Sequence, residues 1–490
     1  MLLVFNTFIN SCVVKTFMSR NIFFGLMTFI GFLYFGTANA LPVNAAKLTE
    51  VNVPGTTAMA AAPIDLAAAG YTEREFYAEG TANRYRGAVM GSLKTAEVID
   101  SKSHYVSRVL VRSPKPEKFN GTLVVEWANV TAGQDVDFAF AESYEYLLRE
   151  GYAVAVVSAQ KNGVDRLKSW SPARYGKLTV DADNTDPRDG SVIDVCIDTA
   201  HCVSDPLSWD IMTQITQALK DNAGEARPLP GLTVKHTIAL GESQSAMRLT
   251  GYYNTIQPLY NVFDGFVFLD LAGQLRADQK VPAISVNSEV TAEMFPQTTT
   301  SEFTRVWAMP GASHASIYGV KYVDDMLVRD KSFPGKQGPM SFTDIVNSQQ
   351  CKQTPPFSRV DSGLVLNAAL DSVNKWVATG KAAAPSLQIV RDEKGAVVRD
   401  AQGNATGGVR LAQFVAPTAL FSTNSPGMAC VLSGHHRDLK ASELKSRYGN
   451  HDGYVSLVRS TLRQLRETGY VLPFDEVAEV NAAESSDVAR

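Results

Sequence analysis

A β-branched apolar run, Thr233-Val-Lys-His-Thr-Ile-Ala-Leu240, ends abruptly at the small and polar residues Gly241-Glu-Ser-Gln-Ser245. The residues that follow, Ala246 to Tyr253, have the pattern of a helix. The sequence therefore predicts a strand, a sharp turn and a helix with Ser243 at the apex, the arrangement called a nucleophile elbow. Such a turn needs small residues two positions either side of the apex, and Gly241 and Ser245 meet that need. The alternative is a plain strand-to-helix turn in which Ser243 only caps the helix.

The overall composition is that of a globular protein. The chain has 490 residues, of which 45% are hydrophobic and 20% are charged. This length is enough for one large elaborated domain or for two smaller ones, each with a substantial core.

The first 40 residues differ from the rest of the chain. They contain no Asp or Glu, and Arg20 precedes a nearly continuous apolar segment that ends before Gly36-Thr-Ala-Asn-Ala40. This pattern predicts a secretory signal peptide, residues 1–40, cleaved after Ala40, and hence an exported protein that is periplasmic or secreted. A single N-terminal membrane anchor is the alternative.

The mature chain would carry 44 Lys and Arg against 50 Asp and Glu, a net charge of −6. That charge argues against nucleic acid or an anionic membrane as a partner.

Four cysteines remain after the predicted cleavage site: Cys196, Cys202, Cys351 and Cys430. An even number in an exported protein predicts two disulfides, although three pairings are possible and four reduced thiols are the alternative. No cysteine or histidine spacing typical of a zinc site occurs, so we expect no metal.

The apolar runs predict eight strands, separated by helices. They are Glu75–Glu79, His104–Arg112, Gly121–Trp127, Gly151–Ser158, the run before Ser243, Asp264–Asp270, Pro282–Ser288 and Thr304–Met309. A strand, a helix and a strand follow one another between residues 121 and 158, which predicts parallel pairing. Residues 41–70 are rich in Ala, Pro and Gly, and we expect them to cross the surface. Long helical segments after residue 360 predict a C-terminal elaboration of the same fold.

A serine hydroxyl needs an imidazole to accept its proton and a carboxylate to orient that imidazole. His314 follows the last strand in the small-residue loop Pro310-Gly-Ala-Ser-His314, so we expect it to be the base. For the acid, Glu289 directly follows the strand that ends at Ser288 and is favoured on placement. Asp270, at the end of the preceding strand, is the main alternative, and Glu293 is a weaker one.

A negative charge that develops on the substrate oxygen needs two preorganised N–H donors. We expect one to be the backbone N–H of Gln244, the residue after Ser243. The other is expected in the loop after the Gly121–Trp127 strand, at Val130, with Asn129 or Thr131 as alternatives.

Several segments together resemble a known family. They are Gly241-Glu-Ser-Gln-Ser245, Val125-Glu-Trp-Ala-Asn-Val-Thr131, Arg174-Tyr-Gly-Lys-Leu178, Asn287-Ser-Glu289 and Gly311-Ala-Ser-His314. This set resembles the α/β-hydrolase-domain family with a G-E-S-Q-S elbow, whose members are mostly exported, carboxylesterase-like proteins. The resemblance covers nearly the whole mature chain, which implies a single elaborated domain over residues 41–490.

The resemblance also carries expectations for the site. It implies an α/β-hydrolase fold with a central, mostly parallel eight-stranded sheet flanked by helices, and a catalytic triad of Ser243, Glu289 and His314. This chain has Val290-Thr291 where many members carry an aspartate soon after the matching Ser-Glu.

The expected function is therefore that of an exported serine hydrolase that acts on a small-molecule ester or other acyl substrate. We expect no metal, no organic cofactor, no nucleic acid partner and no membrane association after signal cleavage. A lactonase, an amidase or a peptidase with the same residues is an alternative. A catalytically inactive binding protein on the same scaffold is another.

Overall fold

A nine-stranded sheet runs through the part of the chain that the computed structural model describes, namely residues 40–89, 91–195, 204–299, 301–348, 355–423 and 433–490. The strands are β1 (Lys47–Glu50), β2 (Tyr71–Arg86), β3 (Glu97–Pro114), β4 (Thr122–Trp127), β5 (Ala153–Val157), β6 (His236–Glu242), β7 (Gly265–Leu269), β8 (Ala283–Ser288) and β9 (Thr304–Met309). Their order across the sheet is β1-β2-β3-β5-β4-β6-β7-β8-β9. Strands β4 to β9 pair in parallel, while β1, β2 and β3 are antiparallel to their neighbours.

The mostly parallel sheet flanked by helices is confirmed, but the expected number of eight strands is wrong. The additional strand, β1, lies inside residues 41–70, where we expected only a surface segment. It is a short edge strand, mostly exposed, that pairs with Phe76–Glu79 of β2. Its backbone hydrogen bonds hold it in place, so it needs none of the apolar alternation by which the other strands are recognised.

Helices cover both faces of the sheet. They are α1 (Phe138–Arg149), α2 (Lys161–Trp170), α3 (Pro172–Tyr175), α4 (Ser208–Asp221), α5 (Gln244–Gly251), α6 (Gln257–Tyr260), α7 (Glu289–Met294), α8 (Ile317–Asp330), α9 (Phe342–Ser348), α10 (Ser362–Thr379), α11 (Ala412–Val415), α12 (Ala441–Tyr448), α13 (His451–Thr468) and α14 (Pro473–Ser485). A short 3₁₀ turn, Pro116–Lys118, precedes β4, and one π turn, Tyr252–Ile256, joins α5 to α6.

The core lies in two layers, one on each face of the sheet. Successive residues of β4 alternate between them: Leu123 and Val125 pack with α4 and α5, and Val124 packs with α1, α8 and α10. This alternation is what a pleated strand covered on both faces requires. It also explains why β4, β5 and β6 are apolar almost throughout.

The C-terminal half packs onto the same sheet. Helix α10 contacts β6, β7 and β8 and ends at Gly380 in the left-handed conformation, and α13 ends in the same way at Gly469. Two small two-stranded sheets complete the described part: β10 (Pro334–Gly335) with β11 (Gly338–Pro339), and β12 (Ala419–Ser422) with β13 (His435–Asp438). Residues Ala40–Arg490 cluster as one unit.

Some expectations concern residues outside the described ranges. The signal peptide falls almost entirely on residues 1–39, and Cys196, Cys202, Cys351 and Cys430 fall on residues 196–203, 349–354 and 424–432. Within the described ranges, none of the helices combines the length and the apolar character that a membrane span requires.

Candidate active site

The turn between β6 and α5 has the geometry that the sequence predicts. Ser243 adopts φ 52° and ψ −115°, a backbone conformation that costs a non-glycine residue roughly 1–3 kcal/mol. Its N–H donates to the carbonyl of Leu269 at 2.9 Å, which ties the apex to the end of β7. A Cβ atom on Gly241 would lie 3.1 Å from backbone atoms of Ser245 and Ala246, so the turn is too tight there for a larger residue.

Ser245 explains why the second small position is not a glycine. Its hydroxyl donates to the carbonyl of Glu242 at 2.9 Å and accepts from the N–H of Glu242 at 3.0 Å. Ser245 is fully buried, so both bonds are shielded from water. The Ser245 side chain therefore stabilises the turn at Ser243 through hydrogen bonds to both backbone groups of Glu242, which a glycine could not form.

His314 lies between the serine and a carboxylate. Its Nε2 is 2.7 Å from the Oγ of Ser243, and its Nδ1 is 2.9 Å from the Oδ2 of Asp270. The hydroxyl of Thr291 lies 3.2 Å from the same Nδ1. The other carboxylate oxygen of Asp270 accepts from the N–H of Ser288 at 2.6 Å and from its hydroxyl at 2.7 Å. Asp270 is therefore held firmly in the orientation that meets the imidazole.

The choice of Glu289 as the carboxylate beside His314 is corrected by this geometry. Glu289 begins α7, as expected from its place after β8, but its carboxylate accepts from the N–H of Gly311 at 2.6 Å and from Arg399 at 2.7 Å. The weaker alternative, Glu293, pairs with Arg399 at 3.1 Å. Glu289 thus stabilises the loop that carries His314 through the N–H of Gly311, and its carboxylate is bonded there instead of to the imidazole.

Strand register explains why Asp270 reaches the imidazole. Glu242 of β6 pairs directly with Leu269 of β7, so the next residues along these strands, Ser243 and Asp270, leave the sheet side by side. Asp270 itself has φ 55°, a left-handed turn that directs the chain away from the strand. Strand β8 lies one position further from β6, and Glu289 follows it.

The two backbone N–H groups expected to hold the substrate oxygen belong to Gln244, directly after Ser243, and to Val130, which contacts the Gln244 side chain. Gln244 is the first residue of α5, so its N–H has no partner within the helix. The N–H of Val130 donates to the side-chain oxygen of Gln244 at 3.3 Å. The two alternatives to Val130 are engaged elsewhere: Asn129 N–H bonds the carbonyl of Val136 at 2.9 Å, and Thr131 N–H bonds the side chain of Asn129 at 2.8 Å.

Glu242 is a functional candidate that the sequence analysis did not single out. Its Oε1 lies 3.2 Å from the Nε2 of His314, and its Oε2 accepts from the Asn129 amide at 2.8 Å. Burial raises the pKa of Glu242 to about 8, with the charge of Asp270 adding to the effect and that of His314 opposing it. A carboxylate directly before the apex serine in the elbow was the available signal.

The carboxylates around His314 change its basicity. Burial lowers the pKa of the imidazole, but Asp270, Glu242 and Glu142 more than offset burial and raise it to about 9.

Ligand atoms of Glu242, Asp270 and His314 lie within 4.8 Å of one another, a set that could hold a metal ion and the only one among the described residues. Each of these atoms already takes part in the hydrogen-bonded chain at Ser243, so the arrangement equally fits proton transfer.

The acidic cluster between residues 181 and 189 is neutralised by nearby cations. Asp186 pairs with Arg86 at 2.6 Å and with Arg188 at 2.8 Å, and Asp181 pairs with Lys161 at 2.6 Å. These ion pairs compensate the negative charge of the segment.

Comparisons with known proteins agree with this architecture. A family model described as "Alpha/beta hydrolase domain" matches residues 39–481. None of the curated proteins matches the chain.

Among solved structures, the esterase Est22 is similar, with 11% identity, a TM-score of 0.25, and coverage of 46% of this chain and 66% of Est22, just short of two thirds of its length. The siderophore hydrolase EstB from Aspergillus nidulans has 14% identity and a TM-score of 0.23, with 39% of this chain and 68% of EstB covered. The rice cell wall degrading esterase LipA from Xanthomonas oryzae has 9% identity and a TM-score of 0.24, with 48% of this chain and 51% of LipA covered.

Proposed function

The chain belongs to the alpha/beta hydrolase domain family, and on this premise we propose that it is a serine hydrolase that cleaves carboxylic esters. One observation carries the proposal: the unbroken chain of contacts from Ser243 Oγ through His314 to Asp270, at 2.7 Å and 2.9 Å. A hydroxyl, an imidazole and a carboxylate in that order are the parts that acyl transfer needs. The strained turn at Ser243 supports the same role, because strain of this kind clusters at functional sites.

In the first half of the reaction, Ser243 Oγ attacks the acyl carbon while its proton passes to Nε2 of His314. Asp270 accepts a hydrogen bond from Nδ1–H, which fixes the tautomer in which Nε2 is free and then stabilises the imidazolium. The tetrahedral intermediate collapses when the alcohol leaves with the proton from Nε2. The product of this step is an acyl ester of Ser243.

The negative oxygen of that intermediate would be held by the N–H groups of Gln244 and Val130. The side-chain oxygen of Gln244 now bonds the N–H of Val130, so it occupies a position suited to an oxygen acceptor. A substrate oxygen would take its place. Removing one donor from such a site typically costs about 10²–10³ in kcat.

In the second half, water attacks the acyl carbon and gives its proton to Nε2 of His314. The carboxylic acid is released as the proton returns to Ser243 Oγ. His314 thus carries each proton that moves during the two halves of the reaction.

We also propose export, because the predicted signal peptide at residues 1–40 precedes the hydrolase region.

The test is hydrolysis by the purified mature protein of a matched set of acyl compounds: p-nitrophenyl acetate and butyrate, a lactone and an anilide. Turnover of the aryl esters at a rate well above that of the lactone and the anilide is expected. Faster turnover of the lactone or the anilide would instead identify a lactonase or an amidase. No turnover of any of them, with no labelling of Ser243 by a fluorophosphonate, would indicate an inactive binding protein.

We expect kcat/KM to rise with pH towards an alkaline limit, with a midpoint near the pKa of His314, about 9. The sign follows from the role of the base: only neutral imidazole can accept the serine proton, so activity is lost as pH falls through that pKa. Glu242→Gln removes a carboxylate 3.2 Å from Nε2 and should move the midpoint to lower pH by about one unit. Measuring kcat/KM between pH 6 and 10 for both proteins checks this.

Glu293→Gln is a suitable control for the pH experiment, because this carboxylate pairs with Arg399 instead of His314. Its midpoint should match that of the unmodified protein. A midpoint that stays fixed in Glu242→Gln would show that the charge of Glu242 does not act on the imidazole.

A further inference from the structure

A segment with two consecutive turns, the double-turn segment (residues 387–409), lies against the outer edge of the sheet at β9. The carbonyl of Leu387 accepts from the N–H of Ala308 at 3.0 Å, and the N–H of Leu387 donates to the carbonyl of Val306 at 2.8 Å. At the other end, the N–H of Val409 donates to the carbonyl of Ala308 at 2.7 Å. Both ends of the segment are therefore fixed to β9.

The two turns repeat one sequence pattern at an interval of eight residues. They are Val390-Arg-Asp-Glu-Lys-Gly395 and Val398-Arg-Asp-Ala-Gln-Gly403. In each turn the arginine, Arg391 or Arg399, donates to the carbonyl of the last glycine. The aspartate of each turn accepts from two backbone N–H groups of its own turn or of the residue that follows it. These bonds fix the conformation of both turns and hence the positions of both guanidinium groups.

Both arginines also hold α7. Arg391 Nη2 donates to the carbonyl of Ala292 and to that of Glu293, the latter at 2.9 Å. Carbonyls at the end of a helix have no partner within it, so this contact satisfies the C-terminal end of α7. Arg399 pairs with Glu289 at 2.7 Å and with Glu293 at 3.1 Å. The two guanidinium groups therefore contact both ends of a helix of only six residues.

Helix α7 is in turn connected to the catalytic imidazole. The hydroxyl of Thr291 lies 3.2 Å from Nδ1 of His314. At the first residue of the helix, the N–H of Glu289 donates to the carbonyl of Ala312 at 3.2 Å, and its carboxylate accepts from the N–H of Gly311 at 2.6 Å. Gly311 and Ala312 belong to the loop that ends at His314, so the position of α7 determines the position of the imidazole.

Arg399 supplies the charge that this arrangement needs. The carboxylate side chain of Glu289 is only 4% exposed, whereas the side chain of Arg399 is 37% exposed. Removing one partner of such a pair leaves an uncompensated buried charge, which is strongly unfavourable. Without Arg399 the carboxylate of Glu289 would be drawn towards water, and that movement would release the N–H of Gly311.

We propose that Arg399 is a positioning residue for the reaction: it fixes Glu289 and α7, and thereby aligns His314 with Ser243. This inference rests on the proposed function of Ser243. Arg399 acts through Glu289 and does not contact the reacting atoms. The chemical step should therefore depend on Arg399 more than substrate binding does, because proton transfer requires an accurately placed imidazole.

The test measures the rate at which a fluorophosphonate labels Ser243, together with kcat and KM for p-nitrophenyl butyrate. Arg399→Gln should lower the labelling rate and kcat by about ten- to a hundredfold and leave KM within about twofold, because the imidazole is displaced while the substrate contacts persist. Arg399→Lys should stay within about fivefold of the unmodified protein, since lysine can still pair with Glu289.

A double substitution tests whether Arg399 acts through Glu289. In the Glu289→Gln protein the buried carboxylate is already absent, so Arg399→Gln should lower kcat by no more than about a further twofold. If the losses instead multiply in full, the two residues act independently and the proposal is wrong.

Arg305→Gln is the matched control, because Arg305 lies on β9 beside the double-turn segment and donates to the carbonyls of Ser301, Glu302 and Thr304. Its kcat and labelling rate should stay within about twofold of those of the unmodified protein, at a temperature where circular dichroism shows both variants folded. Unchanged rates in Arg399→Gln, or an equal loss in Arg305→Gln, would overturn the proposal and leave Ser243 as the nucleophile. No labelling of the unmodified protein would overturn the proposed function, and this inference with it.

Discussion

Replacing Ser243 by alanine should reduce kcat for an aryl ester by about 10⁶-fold, the loss typical when the nucleophile of a serine hydrolase is removed. The substitution deletes the one atom that His314 contacts at 2.7 Å and leaves the rest of the chain of contacts intact. Steady-state hydrolysis measures the loss. A fluorophosphonate should label the unmodified protein at Ser243, and mass spectrometry should find no label in Ser243→Ala.

Ser245→Ala separates loss of the nucleophile from damage to the turn. Its hydroxyl closes the turn through both backbone groups of Glu242, so its removal should lower stability by about 1–3 kcal/mol. The chemistry should nevertheless persist, because Ser243 retains its oxygen. If Ser243→Ala and Ser245→Ala lose activity equally, or if Ser243→Ala retains full activity, Ser243 is not the nucleophile.

The second large effect is expected at Asp270. Asp270→Asn should lower kcat by about 10⁴-fold, because an amide N–H facing Nδ1 of His314 would stabilise the wrong imidazole tautomer. The fold should survive the change. Asparagine tolerates the φ of 55° found at this position, and its oxygen can still accept the bonds from Ser288. Kinetics of the purified variant, with circular dichroism to verify folding, give the result.

Glu289→Gln is the decisive comparison for Asp270→Asn. A glutamine oxygen can still accept from the N–H of Gly311, so we expect kcat to stay within about tenfold of the original. A loss near 10⁴-fold in Glu289→Gln, with little effect in Asp270→Asn, would restore Glu289 as the residue that orients His314.

These two residues show how far the sequence could lead. The elbow was predictable because a β-branched run, Gly241 and a small residue at 245 are all local requirements of one turn. The location of His314 was also predictable, because it follows the last strand within a loop of small residues. The choice between Asp270 and Glu289 was not local, because both directly follow a strand. It depends on the register of β6 with β7, which no residue pattern within either strand records.

Contacts between distant parts of the chain were equally hidden from the sequence. Glu142 of α1 and Glu479 of α14, more than 300 positions apart, line one cleft together with Asp361, the N-cap residue of α10. In the sequence, Glu142 and Glu479 look like ordinary polar residues of amphipathic helices, and Asp361 looks like an ordinary helix cap. The short edge strand β1 was missed for a related reason. It is held by backbone hydrogen bonds to β2, and its own side chains show no apolar alternation that would predict a strand.

The side chain of Gln244 has a kinetic consequence. In the resting protein its oxygen holds the N–H of Val130 at 3.3 Å, and its amide bonds Gln160 at 3.1 Å. If Val130 serves the substrate as proposed, this carboxamide is a tethered competitive inhibitor that every substrate must displace. The bond is long, so the cost is at most about 1.5 kcal/mol, or about tenfold in KM. This cost would raise KM and leave kcat unchanged. The enzyme would therefore discriminate most strongly against acyl groups too small to displace the Gln244 side chain.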